Sequence, residues 1–257
     1  MTTALEIHQF PCLSDNYGVL IRDPETNFVA SIDAADASAV KAALAERGWT
    51  LTHILTTHYH WDHTDGNLPL KDETGCRIIG PKPEAAKIPG IDEAVGEGDT
   101  FKWGNFDIHV HETPGHTAGH IIYHIPDAKV AFVGDTLFAM GCGRVNEGTM
   151  QEMWGGVEKV ANLPTDTVLY CGHEYTVANA EFALTIEPGN AALQARAEDV
   201  KARRAAGQPT LPTRVDIERE TNPFIRVNSP EIRKNLGLET AEDWQVFAEV
   251  RERKNRA

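Results

Sequence analysis

Cysteine is scarce in this chain: 257 residues include only four, Cys12, Cys76, Cys142 and Cys171, with no Cys-x-x-Cys spacing. That excludes a disulfide framework and a cysteine-rich structural zinc shell. It points to reduced thiols packed as small apolar groups, with Cys142 and Cys171 near enough to candidate site residues to line a site. No apolar run approaches the length of a membrane span, and Met1 to Phe10 lacks the basic start and apolar stretch of an export signal. Cations are outnumbered: 24 Lys and Arg stand against 38 Asp and Glu, a formal net charge of −14. So acidic a surface repels nucleic-acid phosphates, and no basic run interleaved with aromatics overrides it. It also requires that any acidic small substrate be met by local cations. There is no Gly-x-Ser-x-Gly elbow, so a serine hydrolase has nothing to stand on. There are no repeats or low-complexity tracts. The remaining composition, 41% hydrophobic and 24% charged, is that of a globular protein of one large domain, or one large and one small. The cytoplasm is its expected compartment.

Period-two stretches separated by turn residues predict strands over Ala4–Phe10, Tyr17–Arg22 and Phe28–Ile32. The alanine-rich Ser38–Arg47, closed by Gly48, predicts a helix. A buried strand over Leu51–Thr57, a helix over Asn67–Glu73 and a strand over Arg77–Gly80 continue an alternation that argues for an α/β layered core. Pro81–Gly98 reads as loop with a helical turn. A second meander follows over Thr100–Trp103, Phe106–Glu112, His120–Ile125 and Val130–Val133. Thr149, with Glu152 three residues on, has capping-box spacing for a helix ending near Leu163, and Val168–Cys171 reads as a last strand. Beyond Tyr175 no strand pattern remains: helices are expected over Val177–Ile186, Asn190–Ala206 and Ala241–Lys254. The expected domains are 1–176, and 177–257 as a smaller helical one.

The chemistry gathers at Thr57-His58-Tyr59-His60-Trp61-Asp62-His63, where a strand opens into a loop. Neutral imidazole and carboxylate are ligands for zinc, iron or manganese. Three more candidates each follow a strand and a glycine: His116 in Thr113-Pro114-Gly115-His116-Thr117, Asp135 after Gly134, and His173 after Gly172. Glycine lets the backbone turn sharply and bring the next side chain to the sheet edge. Taken singly, His116 or His173 reads as a loop histidine and Asp135 as a turn former. Together with the first cluster they make seven ligands, three per ion and one shared carboxylate, the composition of a two-metal site. The other histidines (His8, His53, His109, His111, His120 and His124) read as structural or surface residues.

With these motifs the sequence resembles the metallo-β-lactamase superfamily, and within it the hydroxyacylglutathione hydrolases, or glyoxalase II. The narrower likeness rests on Asp15-Asn16-Tyr17, Gly134-Asp135-Thr136-Leu137-Phe138 with Gly141-Cys142-Gly143, Cys171-Gly172-His173-Glu174-Tyr175-Thr176, Asn222-Pro223-Phe224 and the helical tail. The resemblance implies an αββα sandwich with a smaller helical C-terminal domain. It implies two divalent ions, zinc first, with iron or manganese as alternatives. His58, His60 and His116 would hold one ion, Asp62, His63 and His173 the other, and Asp135 would bridge them. Asp62 and Asp135 are the implied catalytic residues. Glutathione contacts would fall to Arg144, Tyr175, Arg251 and Lys254, while Asn146 departs from the aromatic common at its position. The implied reaction is hydrolysis of S-D-lactoylglutathione to glutathione and D-lactate, as in methylglyoxal detoxification, by a monomer. Two ions about 3.5 Å apart hold a hydroxide at neutral pH and polarise the carbonyl it attacks. A thiolate leaving group needs little protonation, which suits the lack of a further general acid. The rival on the same fold is an iron-dependent persulfide dioxygenase using His58, His116 and Asp135; another metallo-β-lactamase-fold hydrolase is a further alternative.

Overall fold

Residues 4–257 are described by a computed structural model; positions 1–3, with which the expected first domain begins, lie outside them. The chain divides into two compact units: one runs to Glu112 and resumes over Thr117–Gly134, the other takes Thr113–His116 and Asp135–Ala257.

The first unit begins with the expected strands and adds one, Glu93–Val95, inside the stretch Pro81–Gly98 that reads in the sequence as loop. In chain order come β1 (Glu6–Cys12), β2 (Asn16–Asp23) and β3 (Phe28–Ile32), then helix α1 (Ala37–Arg47), β4 (His53–Leu55), short α2 (Trp61–Thr64), α3 (Asn67–Thr74), β5 (Arg77–Pro81) and β6 (Glu93–Val95). β1 to β3 pair antiparallel and β3 to β6 parallel, in spatial order β1-β2-β3-β4-β5-β6. Parallel pairing needs crossovers: α1 supplies the one from β3 to β4, α3 the one from β4 to β5, and a short 3-10 turn over Lys82–Lys87 the one from β5 to β6. Val40, Ala43 and Leu44 of α1 and Leu70 of α3 pack with Leu20, Ile54 and Ile78 of the sheet. Asp36 caps α1 by accepting from Ser38 N–H, and Gly48 closes it at φ 64°, where glycine avoids the steric cost of a side chain.

A meander follows: β7 (Thr100–Trp103), β8 (Phe106–Glu112), β9 (Ile121–Ile125) and β10 (Val130–Gly134), each antiparallel to the next. Every residue of β9 and β10 is buried, the mark of strands covered on both faces. Tyr123 of β9 donates its buried hydroxyl to Thr56 O at 2.8 Å, tying the meander to the end of β4. The expected strand Leu51–Thr57 is shorter at both ends, His53–Leu55; past Leu55, Thr57 N–H donates to the Asp33 side chain instead of to a neighbouring strand's backbone.

The second unit contains a two-strand hairpin, β11 (Leu137–Phe138) with β12 (Gly141–Cys142), then α4 (Met150–Ala161), β13 (Val168–Cys171), α5 (Thr176–Ile186) and α6 (Ala191–Ala205). β14 (Thr213–Arg214), α7 (Val215–Thr221), α8 (Pro230–Leu236) and α9 (Asp243–Arg256) complete it. The Thr149–Glu152 capping box forms with both of its bonds. The expectation that no strand follows Tyr175 is corrected: β14 pairs antiparallel with β13, Leu169 opposite Thr213. A two-residue strand is too short to show any period. No helix among the described residues is long and apolar enough to cross a membrane.

Candidate metal centre

In the first unit the end of β4 shapes the histidine loop. Asp33, just past β3, accepts from Thr57 N–H at 2.7 Å with Oδ1 and from Thr57 Oγ1–H at 2.9 Å with Oδ2. His58 Nδ1 lies 3.0 Å from that same Thr57 Oγ1. The hydroxyl proton is already given to Asp33, so Nδ1 must donate, which makes His58 Nε2 the unprotonated nitrogen. His63 Nδ1 sits 2.8 Å from Asp33 Oδ2, so His63 too presents Nε2. His60 turns the other nitrogen inward: its Nδ1 stands 3.0 Å from His58 Nε2. α2 starts at Trp61, just after His60, and is one turn long, which carries Asp62 and His63 round to the same side, His63 Nε2 standing 3.7 Å from Asp62 Oδ2. Asn16 holds Asp62 by donating Nδ2 to its backbone carbonyl at 3.1 Å and to Oδ2 at 3.3 Å. His120 stacks on the His58 ring with centroids 4.7 Å apart, a packing role consistent with its reading as structural. Glu84, fully buried, accepts from Tyr59 N–H and Gly119 N–H and so steadies the loop from beneath.

In the second unit His116 follows Gly115 at φ 138°, where a Cβ would meet Met153 at 2.6 Å; only glycine fits. His116 Nδ1 donates to Arg144 O at 3.0 Å, which makes Nε2 the nitrogen it turns toward Asp135. That Nε2 and the Nε2 of His173 each lie 3.4 Å from one oxygen, Oδ2 of Asp135. Two donors on one tetrahedral zinc, each about 2.1 Å from it, sit about 3.4 Å apart, the spacing that each imidazole keeps from this carboxylate oxygen. His173 stacks flat on Tyr175 at 4.8 Å, with Phe138 edge-on to both rings. The donor set in each unit therefore fits divalent ions.

One cavity of about 530 Å³ in the second unit is lined by His116, Asp135, Arg144, Tyr175, Arg251 and Lys254 together with Cys142 and Asn179. Arg251 is buried: Nη1 donates to Cys142 O at 2.9 Å, Nε to Asn255 Oδ1 at 3.0 Å, and the guanidinium covers the Phe224 ring. Lys254 donates to Ala178 O at 2.8 Å and lies over Phe182, and burial followed by the nearby Arg251 charge lowers its pKa. A plain solvated face would pair these cations with Glu249 and Glu252, but Arg253 and Arg256 take those partners. All four cysteines are buried free thiols. Burial, only partly offset by Arg251, pushes Cys142 up to about 11, and burial with Glu218 and Asp135 raises Cys171, so both stay protonated at neutral pH.

Sequence reasoning passed over Asp33, Thr57 as a positioning group, and Glu84. An acid directly after an apolar strand was the available signal, but only the β3–β4 pairing shows which loop it serves.

Residues 19–173 match the family model described as metallo-beta-lactamase superfamily, and residues 174–257 match the one described as hydroxyacylglutathione hydrolase C-terminus. Proteins named hydroxyacylglutathione hydrolase from Brucella ovis and Brucella melitensis are each 57% identical to this chain over 99% of it and 99% of their own length. Among solved structures, BLEG-1 B3 metallo-beta-lactamase aligns with a TM-score of 0.67 at 19% identity, over 86% of this chain and 99% of its own. ETHE1 from Myxococcus xanthus aligns with a TM-score of 0.66 at 26% identity, over 97% and 98%.

Proposed function

The chain belongs to the hydroxyacylglutathione hydrolases of the metallo-beta-lactamase superfamily, and from that premise we propose that it hydrolyses S-(2-hydroxyacyl)glutathione, S-D-lactoylglutathione above all. The products are glutathione and the 2-hydroxy acid. We propose that His58, His60 and His116 hold one divalent ion, that Asp62, His63 and His173 hold a second, and that Asp135 bridges the two. Zinc is the first choice, and the same ligands accept iron or manganese. Such ions, when bound, supply the Lewis acidity that activates water and polarises a thioester carbonyl.

The observation that carries this reading is the cavity that His116 and Asp135 share with Arg144, Tyr175, Arg251 and Lys254. Its volume lies within the range of about 300–1,000 Å³ usual for ligand pockets. Glutathione thioesters are net anions, and in a chain of formal charge −14 three cations on one cavity wall are a local reversal of sign. Arg144 and Lys254 bind the peptide carboxylates, and Tyr175, stacked on His173, orients the acyl-sulfur end. Asp62, held by Asn16, takes the proton released by the attacking water. The sulfur leaves as a stable thiolate, so no further acid is needed.

The two family matches meet at residues 173 and 174, which supports a functional division into a catalytic part, 1–176, and a helical substrate-binding part, 177–257. We assign the activity to methylglyoxal detoxification in the cytoplasm, by a monomer. The one-ion dioxygenase held by His58, His116 and Asp135 is not favoured, since relatives matching end to end at 57% identity carry the hydrolase name. Purified protein mixed with S-D-lactoylglutathione should remove the thioester absorbance and release free thiol. Oxygen consumption with a persulfide and no thioester loss would overturn the assignment.

A further inference from the structure

The Asn222-Pro223-Phe224 break reads in sequence only as an interruption between helices. In the structure Asn222 is buried after α7 and points at the β11–β12 hairpin. Its Nδ2 donates to Phe138 O at 3.2 Å, to Gly141 O at 3.0 Å and to Glu218 Oε2 at 2.9 Å. Glu218 Oε2 accepts Met140 N–H at 2.9 Å, Asn179 Nδ2 donates to Ala139 O at 3.1 Å, and Arg251 donates to Cys142 O at 2.9 Å. The hairpin is thus held at residues 138 to 142 by side chains from α5, α7, the turn after α7, and α9. Its tip is locked as well: Met140 has φ 55°, and its side chain is buried among Ala180, Ala183, Leu193 and Ala197 of α5 and α6.

The two ends of this hairpin carry the site. Asp135 lies two residues before it. Arg144, whose carbonyl fixes the His116 tautomer, lies two residues after it. The stem is so tight that a Cβ at Gly143 would sit 2.0 Å from Asp135 O, and one at Gly141 would sit 2.4 Å from Asn179 Nδ2. Displacing residues 138–142 therefore displaces both the bridging carboxylate and the carbonyl behind His116.

We propose that Asn222, with Glu218, Asn179 and Arg251, is a positioning clamp through which the helical tail sets the geometry of the metal ligands, in addition to any contact it makes with substrate. This rests on the metal centre proposed above. Backbone amides and carbonyls in so buried a hairpin need partners in any case, so a purely structural role is the alternative the experiment must separate. Asn222→Ala and the milder Asn179→Ala would be compared with the wild-type protein. Three readouts apply: zinc retention against a chromophoric chelator, turnover of a glutathione thioester and of a small thioester lacking glutathione, and the melting temperature of the metal-free protein. Loss of a group that orients metal ligands typically costs about 10–100-fold in affinity or activity. Asn222→Ala should hold zinc that much more weakly and lose kcat on both thioesters, with KM for the glutathione thioester little changed. Asn179→Ala should move the same way by less. The proposal is overturned if zinc affinity and small-thioester turnover stay at wild-type values while only the metal-free melting temperature falls, or if KM alone rises. If Asn222→Ala does not fold, Asn179→Ala decides by the same criteria. Wild-type protein that binds no zinc would instead bring down the metal centre, and this proposal with it.

Discussion

Asp33→Asn alters the chemistry of a single atom and separates the support of the metal ligands from the fold. Asp33 adopts φ 56°, a conformation asparagine also tolerates. It accepts three hydrogen bonds, at 2.7 Å from Thr57 N–H, 2.9 Å from Thr57 Oγ1–H and 2.8 Å from His63 Nδ1–H. An asparagine keeps one carbonyl oxygen for Thr57 N–H and turns an NH₂ group toward the other two partners. His63 must then accept at Nδ1, which moves its proton to Nε2 and removes the lone pair a metal needs. Exchanging two charge-assisted bonds for neutral ones costs about 2–3 kcal/mol in total, given about 1.5–3 for a charged and about 0.5–1.5 for a neutral bond. At about 2–4 °C per kcal/mol for a chain of this size, the metal-free protein should melt roughly 4–12 °C lower. Metal affinity, measured by chelator competition well below that temperature, should fall about 10–100-fold. Asp33→Asn that melts lower yet binds metal as tightly as wild type would refute the tautomer argument.

Lys254→Ala removes one cavity cation remote from the reacting bond, so KM for the glutathione thioester should rise roughly tenfold or more, at about 1.5–3 kcal/mol per charge-assisted bond. Its kcat should change far less, and a thioester without glutathione serves as control. Arg251→Ala should raise KM and lower kcat together, because Arg251 also holds Cys142 O. Gly143→Ala forces a Cβ to within 2.0 Å of Asp135 O. Such overpacking costs about 1–3 kcal/mol, and calorimetry should show a lower melting temperature together with weaker metal binding. His124, buried and facing His111 and His109 across β8 and β9, has its pKa lowered to about 4, burial being the largest cause. From its ordinary value of about 6.5 downward the unfolded chain takes up a proton that the folded chain refuses until about pH 4. Stability therefore falls through that window, by up to about 3 kcal/mol, and is unaffected above it. Urea unfolding of His124→Gln at pH 7 and pH 4.5 should show a smaller acid loss than wild type; equal losses would contradict the reading.

The parts of the site legible in the sequence were those written contiguously. His58, His60, Asp62 and His63 sit within six residues and share one chemistry, so their spacing alone suggests a metal. The Thr149–Glu152 capping box was equally readable because both of its bonds are local, and in the structure the Thr149 backbone N–H, then its hydroxyl, donate to the Glu152 carboxyl and hold it below its usual range. Asp33 was not legible: its partners lie 24 and 30 positions away, reachable only through the parallel pairing of β3 with β4. The role of Asn222 was hidden for the same reason, its acceptors lying 84 and 81 residues earlier. β11, β12 and β14 are two residues each, and α7 and α8 seven, too short to develop a period. The spacing of Arg251 and Lys254 could not decide between a solvated face and a cavity wall; the salt bridges made by Arg253 and Arg256 instead depend on rotamers that spacing does not encode.

The central claim is that two ions held by seven side chains hydrolyse a glutathione thioester. The most direct test titrates metal-free protein with zinc while following both bound metal, by elemental analysis, and the loss of S-D-lactoylglutathione absorbance. The account predicts no turnover without metal and full activity only as occupancy approaches two ions per chain, with Asp135→Ala failing to reach either. Full activity at one ion, or turnover that survives complete metal removal, would contradict it.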